Sequence, residues 1–176
     1  MLHHLLNDAT YEMNFHGVAR VMIEKLEHKN EAVSRQIFRV FQRAYQQEAQ
    51  LIGVADFPPL RRWVKDIERT NSEFYGIKRH EVLAAVIEIE VTKQQLDIHS
   101  LTVDPEYVRR GLADQLIRYV LAQMDCSQAI VETAVANSPA INLYKKHGFV
   151  EYKRWVPSHG IPKLALSVKW AVDTVN

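Results

Sequence analysis

Val103-Asp104-Pro105-Glu106-Tyr107-Val108-Arg109-Arg110-Gly111-Leu112-Ala113 is the most informative stretch of the chain. Residues 96–103 lead into it as a β run, which Asp104-Pro105 ends because proline cannot donate to a ladder. Behind it, Leu112, Leu116, Ile117, Val120, Leu121 and Met124 trace one apolar face at helical spacing. A strand, a glycine turn and a helix in that order present unpaired N–H groups and the positive end of a helix dipole to an anion. Gly111 and the small Ala113 keep side chains from blocking close approach, and Arg109 and Arg110 add charge, so a pyrophosphate fits there. The competing reading of the stretch taken alone is an ordinary loop before an amphipathic helix.

Working outward, residues 20–27 read as a strand with Val21, Ile23 and Lys25 on one face. From Glu31 the period changes, and Val33, Ile37, Val40, Phe41 and Ala44 mark a helix to about residue 50, which Gly53 breaks. Asp56-Phe57-Pro58-Pro59-Leu60 is a rigid turn, followed by a short amphipathic helix near residues 59–69. Strands are predicted at 74–78, 82–91 and 129–133, and a final pair at 149–156 and 164–170. The helix at 139–147 has marked ends: Ser138 to cap it, Pro139 in its first turn, Gly148 for a left-handed stop. The order is that of a mixed α/β sheet, a single domain over residues 20–171, with residues 1–19 an N-terminal arm or short helix.

Composition narrows the classes. The chain has 176 residues, 47% hydrophobic and 24% charged, enough apolar side chain for one ordinary core. Twenty-two basic against twenty-one acidic residues leave a charge of +1, which argues against nucleic acid as partner. The single Cys126 favours a reducing, cytoplasmic setting, and no apolar run approaches the ~20 residues that span a bilayer. The eight histidines share no ligand spacing, so no metal is expected.

Val108-Arg109-Arg110-Gly111-Leu112-Ala113 resembles the acyl-CoA pyrophosphate loop of the GNAT N-acetyltransferase superfamily: Gln or Arg, two residues, Gly, one residue, Gly or Ala. Val108 departs from the usual polar first position, which leaves the backbone cradle intact. Downstream, Asn137-Ser138-Pro139-Ala140-Ile141-Asn142-Leu143-Tyr144-Lys145-Lys146-His147-Gly148-Phe149 is similar to a second pattern of that family. The resemblance covers about residues 20–170 and implies a GNAT-like fold, a twisted, mostly antiparallel sheet with splayed central strands flanked by helices. It implies acetyl-CoA as cosubstrate, lying between the strands at 96–103 and 128–134, with its pantetheine arm paired to Leu101, Thr102 and Val103.

Carried onto this chain, the resemblance makes Tyr144 the proton donor to the departing CoA thiolate, with Asn137, Asn142 and Lys145 as further cofactor contacts. Asp97 and His99 match positions of bases in other members, and a His near pKa ~6.5 is better poised at neutral pH than an Asp near ~3.9. They share a face unless a bulge intervenes. The acceptor site falls on residues 53–60 and 155–162. There Asp56 would pair a cationic amine, Phe57, Tyr45 and Trp155 would wall it, and Glu88 or Glu90 on the neighbouring strand would bind the amine or face water. The implied reaction is direct attack of a small-molecule or peptide amine on the thioester. The alternative is a catalytically weak acyl-CoA-binding sensor or partner-recognition module. A homodimer through the last strands or the N-terminal arm is the family's common arrangement.

Overall fold

The structure, a computed structural model, describes residues 11–13 and 19–170. Strands β1 (Tyr11–Met13) and β2 (Ala19–Val21) form a separate antiparallel pair. The chain then contributes β3 (Glu24–Leu26), α1 (Glu31–Ile52), a 3-10 turn (Pro58–Arg61), α2 (Val64–Arg69), β4 (Glu73–Arg79), β5 (Val82–Thr92) and β6 (Gln95–Val103). A second 3-10 turn (Pro105–Tyr107) leads to α3 (Leu112–Gln123), β7 (Gln128–Ala134), α4 (Ser138–Lys146), β8 (Val150–Trp155) and β9 (Lys163–Lys169). Seven strands make one sheet in the order β3-β4-β5-β6-β7-β9-β8, antiparallel except for β6 beside β7. This is the mixed sheet read from the order of elements, and mostly antiparallel as the family resemblance implied.

One face of the sheet takes α1 and α2, through Ile37, Val40, Phe41 and Ile67 against Leu26, Phe74, Leu83 and Val86. A second buried cluster joins Leu112, Leu116, Ile117 and Val120 of α3 to Ile77, Ala85, Ile87, Ile89, Leu96, Ile98 and Val131, with Tyr144 and Phe149 at its end. With α3 as the crossover between parallel β6 and β7, the two chain stretches either side of the glycine loop become central neighbours in the sheet.

Three local expectations need correction. The predicted strand at 20–27 is two strands, because the chain changes partner: Ala19–Val21 pairs with β1 and Glu24–Leu26 with β4. The predicted helix at 59–69 is split. The prolines hold a 3-10 turn, and Asp66 reaches back to the Trp63 N–H (2.7 Å) to start α2 afresh. Asn137 caps α4 instead of Ser138, its Oδ1 accepting from the Ala140 N–H at 3.2 Å. The expectation of an N-terminal arm or short helix falls largely outside the described residues; within it, Tyr11–Met13 is a strand. Among the described residues no helix is long and apolar enough to cross a membrane.

Candidate active site

The site begins with a fault in the sheet. Strand β6 pairs with β7 from Gln95↔Gln128 to Ile98↔Val131, and there the parallel ladder stops. Next to that point the β5–β6 register changes from Ile89↔Ile98 to Glu88↔Ser100, so His99 is the extra residue of a β-bulge. A bulge increases local twist and bends its strand. Beyond it β6 follows β5 and β7 follows β9, so the two central strands diverge.

The divergence strands backbone polar groups. The Asp104 N–H donates to the Ala84 carbonyl at 2.8 Å, and antiparallel alternation then turns the N–H and C=O of Leu101 and Val103 away from β5, into the opening. No strand among the described residues pairs with them there. An extended ligand with amide groups would satisfy them as an added strand, which is the chemistry of a pantetheine arm. Thr102 points the other way, buried, with its hydroxyl donating to the Val86 carbonyl at 3.5 Å.

At the far end of β6 the loop over residues 104–111 is tied down from behind. Buried Asp104 caps the 3-10 turn through the Glu106 N–H (3.0 Å) and takes two bonds from Arg43 of α1, at 2.9 and 3.3 Å. Arg109 (φ 60°) and Gly111 (φ 75°) are both left-handed, a backbone state that glycine enters without strain. Helix α3 follows Gly111 as its N-cap with no side-chain cap, so among the described residues no side chain bonds its first N–H groups, those of Leu112 and Ala113. Arg109 and Arg110 are exposed beside them, Arg110 lying 5.4 Å above the Tyr107 ring, and Val108 is half-buried. The segment therefore has the backbone and charge to hold a pyrophosphate.

Between the splayed strands lies a cavity of about 260 Å³ whose walls include His99, Ser100 and Leu101 of β6, Glu132 and Thr133 of β7, and Tyr45 and Glu48 of α1. Phe57, Asn137, Tyr144, His159 and Lys163 complete its polar and aromatic lining. Tyr144 is buried, its ring 5.4 Å from that of Phe149, and burial, with Tyr45 and Glu48 nearby, pushes its phenol pKa up. Tyr45 is pushed up by burial first and then by the charges of Glu48 and Glu88, with a hydrogen bond to Ser100 opposing. Asn137 uses both ends of its amide within the protein, Oδ1 as the α4 cap and Nδ2 donating to Glu48 at 3.0 Å.

A neighbouring open pocket shares Tyr45, Pro59, His99 and Ser100 with this cavity. Its floor is Glu88, 3% exposed at the side chain, which takes a bidentate pair from Arg62 (2.6 and 2.9 Å) and a bond from the Ser100 hydroxyl (3.2 Å). Arg62 also stands 5.6 and 5.9 Å from the Phe41 and Phe74 rings. His99 meets Glu90 at 3.1 Å on the pocket's rim.

The fold thus brings Tyr144, His99, Leu101, Asn137 and Phe57 to one cavity, with Glu88 in the pocket beside it. Asp97 accepts from Gln95 Nε2 at 2.8 Å, where β6 and β7 are still paired, and does not line the cavity. Nor do Asn142 and Lys145, exposed on α4, or Asp56, exposed and paired with Arg61. Trp155 sits under Lys153 and Lys163, with 4.9 and 5.5 Å between charge and ring centroid, and is not among the lining side chains. Sequence reasoning missed Glu48, Ser100 and Glu132. A signal existed for Glu48: it continues the 37–41–45 stripe of α1, where an apolar residue is expected. Among the described residues no group of three His, Cys, Asp or Glu could hold a metal.

Residues 34–149 match the family model described as acetyltransferase (GNAT) family. The chain is 36% identical over 129 residues to UPF0157 protein YqkA of Bacillus subtilis, 73% of this chain but 38% of that protein's length. It is 37% identical over 60 residues to N-alpha-acetyltransferase 30 of Xenopus laevis, covering 32% of this chain and 22% of that one. Among solved structures, the ribosomal-protein-S18-alanine N-acetyltransferase of Escherichia coli superposes with TM-score 0.68 at 18% identity, over 88% of this chain and 98% of that one. The PaiA N-acetyltransferase of Thermoplasma acidophilum, in complex with coenzyme A, gives TM-score 0.66 at 14% identity, over 85% and 98%. At these identities the superpositions establish the fold.

Proposed function

The chain belongs to the acetyltransferase (GNAT) family, and on that premise we propose that it is an N-acetyltransferase moving the acetyl group of acetyl-CoA to a primary amine held in the cavity between β6 and β7. One observation carries the reading: the ladder stops at Ile98↔Val131, leaving the outward backbone groups of Leu101 and Val103 without a partner strand among the described residues, at a cavity that Leu101 and Tyr144 line. Acetyl-CoA supplies an activated acetyl thioester. The diphosphate end would sit on the N–H groups at the start of α3 beside Arg109 and Arg110, and the arm along Leu101 and Val103.

In this reading the neutral amine attacks the thioester carbonyl, the C–N bond forms and the C–S bond breaks. Tyr144 passes its proton to the departing sulfur and regains one from the acetylated nitrogen. A phenol is protonated at neutral pH and so carries the proton to be given, and burial, which raises its pKa, keeps it in that form until the thiolate develops beside it. His99, at the bulge and hydrogen-bonded to Glu90, carries protons between cavity and solvent. Asp97 has no part in this scheme. The acceptor is an amine or a peptide N-terminus, a class supported by the N-alpha-acetyltransferase 30 relatives.

The test is calorimetric titration with acetyl-CoA, followed by thiol release on an amine and peptide panel. Wild type is expected to bind, and Gly111→Glu, which puts a carboxylate and a disfavoured φ into the loop, to lose at least about tenfold in affinity. Tyr144→Phe is expected to bind normally and to lose about a hundredfold in kcat. Absence of binding at millimolar acetyl-CoA defeats the reading, and binding without turnover on any amine favours a sensor.

A further inference from the structure

Within the cavity Glu48 is, among the described residues, a carboxylate without a counter-ion. Its only polar partner among the described residues is the Asn137 amide at 3.0 Å, and no Lys, Arg or His of the described residues forms an ion pair with it. The other cavity carboxylates and acids differ. Glu132 is exposed and paired with Lys163 at 2.9 Å, and Glu88 in the adjoining pocket is neutralised by Arg62. Glu48 is set by the last turns of α1 on the same inward stripe as Phe41 and Tyr45, close enough to Tyr45 and Tyr144 for its charge to act on both phenols. A half-buried carboxylate facing a cavity with no cation paired to it among the described residues is a ready partner for a cationic ligand.

Resting on the acetyltransferase reading above, we infer that Glu48 is the first proton acceptor of the site: it receives the acceptor as its ammonium and takes one proton from it before acetyl transfer. Amines with pKa values of roughly 8 to 10 arrive charged at neutral pH and cannot attack in that form. The ammonium transfers H⁺ to the Glu48 carboxylate, leaving a neutral amine and a carboxylic acid. The amine then attacks the thioester, its second proton replaces the one that Tyr144 gave to the sulfur, and Glu48 releases its own proton to solvent through His99. Products are amide, free thiol and one H⁺, which balances ammonium plus thioester. Burial raises the Glu48 pKa, with the Asn137 bond opposing, so the carboxylate is a better base than an exposed one. The groups facing it are Tyr45 from α1, Asn137 and Tyr144 from the cap and body of α4, His99 and Ser100 from β6, Glu132 from β7, His159 from the β8–β9 connection and Lys163 from β9.

The experiment uses the whole chain with acetyl-CoA, and two acceptor probes, spermidine and a tetrapeptide with a free α-amine. Glu48→Gln keeps the shape and an oxygen for Asn137, so the fold is retained; thermal unfolding checks this. That variant is expected to bind acetyl-CoA within about twofold of wild type, to lose about a hundredfold in kcat, and to lack the acid limb of the wild-type kcat/KM–pH profile. Glu48→Asp is expected to recover part of the rate and to keep an acid limb. Glu48→Gln turning over at wild-type rate with an unchanged pH profile overturns the assignment. So does a wild type that binds acetyl-CoA but acetylates neither probe, if Glu48→Gln leaves its affinity for both unchanged. A wild type that does not bind acetyl-CoA at all overturns the acetyltransferase reading, and this assignment falls with it.

Discussion

Gly76 lies in β4 where a Cβ would sit 2.7 Å from Leu83 Cδ1, 2.9 Å from Leu26 Cδ1 and 3.2 Å from the Ala85 carbonyl. Two of those neighbours are ends of flexible side chains, but both belong to the cluster packed under α1. Gly76→Ala is therefore expected to destabilise the protein by about 1–2 kcal/mol through overpacking, read as a lower urea midpoint. An unchanged midpoint would show that Leu26 and Leu83 repack without strain. Residue chemistry pointed to the glycine loop, a permissive turn opening a helix, while Tyr144 and His99 were singled out by the family resemblance of their positions. It could not expose the setting of Glu48 or Asn137. Their partnership spans 89 positions and exists only after α1 and α4 meet.

Elements were read well where one face is buried and one is wet, as in α1, α3 and β6, and where a continuous apolar run is buried on both faces, as in β5. The bulge at His99 escaped that reading for a specific reason. Leu96, Ile98, Ser100 and Thr102 are all buried, so β6 alternates without interruption. Yet Ile98 packs in the α3 cluster while Ser100 bonds Glu88 across the strand, so the two buried pairs lie on opposite faces. Only the register with β5 reveals the change. Between elements, α3 and α4 are joined at Asp114, which takes Lys146 (2.8 Å), His147 (2.9 Å) and Arg118 (2.6 Å). These contacts, with the Lys146 bond the largest influence, hold its carboxyl below the usual range. A depressed folded-state pKa contributes stability that is present above the unfolded value near ~3.9 and is lost as pH falls through the folded value. Asp114→Asn is accordingly expected to cost about 1 kcal/mol at pH 7, discounted for the exposure of Lys146 and Arg118, and the gap should close below about pH 4. A gap of the same size across that range would assign the loss to packing instead.

For the whole molecule, the lone thiol reports on opening. Cys126 lies between α3 and β7, 5% exposed, and burial first, then Asp125, raises its pKa. Since the thiolate is the reactive form, Ellman's reagent is expected to label the native protein at least about tenfold more slowly than the unfolded chain. Labelling at the unfolded rate would mean that the α3–β7 junction opens freely. The sequence by itself determined the fold class, most element positions and the loop that opens α3, because those follow from local periodicity, turn chemistry and motifs a few residues long. It also left the charge near balance and the core ample, which bounded the class of partner. Only the tertiary structure decided which predicted site residues meet. It took Phe57, Tyr144 and His99 into one cavity and left Asp56, Asp97, Asn142 and Trp155 outside its lining. The reason is physical: the cavity exists because two central strands part at a bulge, and both are properties of strand pairing, the bulge between β5 and β6 and the parting between β6 and β7, whose paired residues lie 33 positions apart.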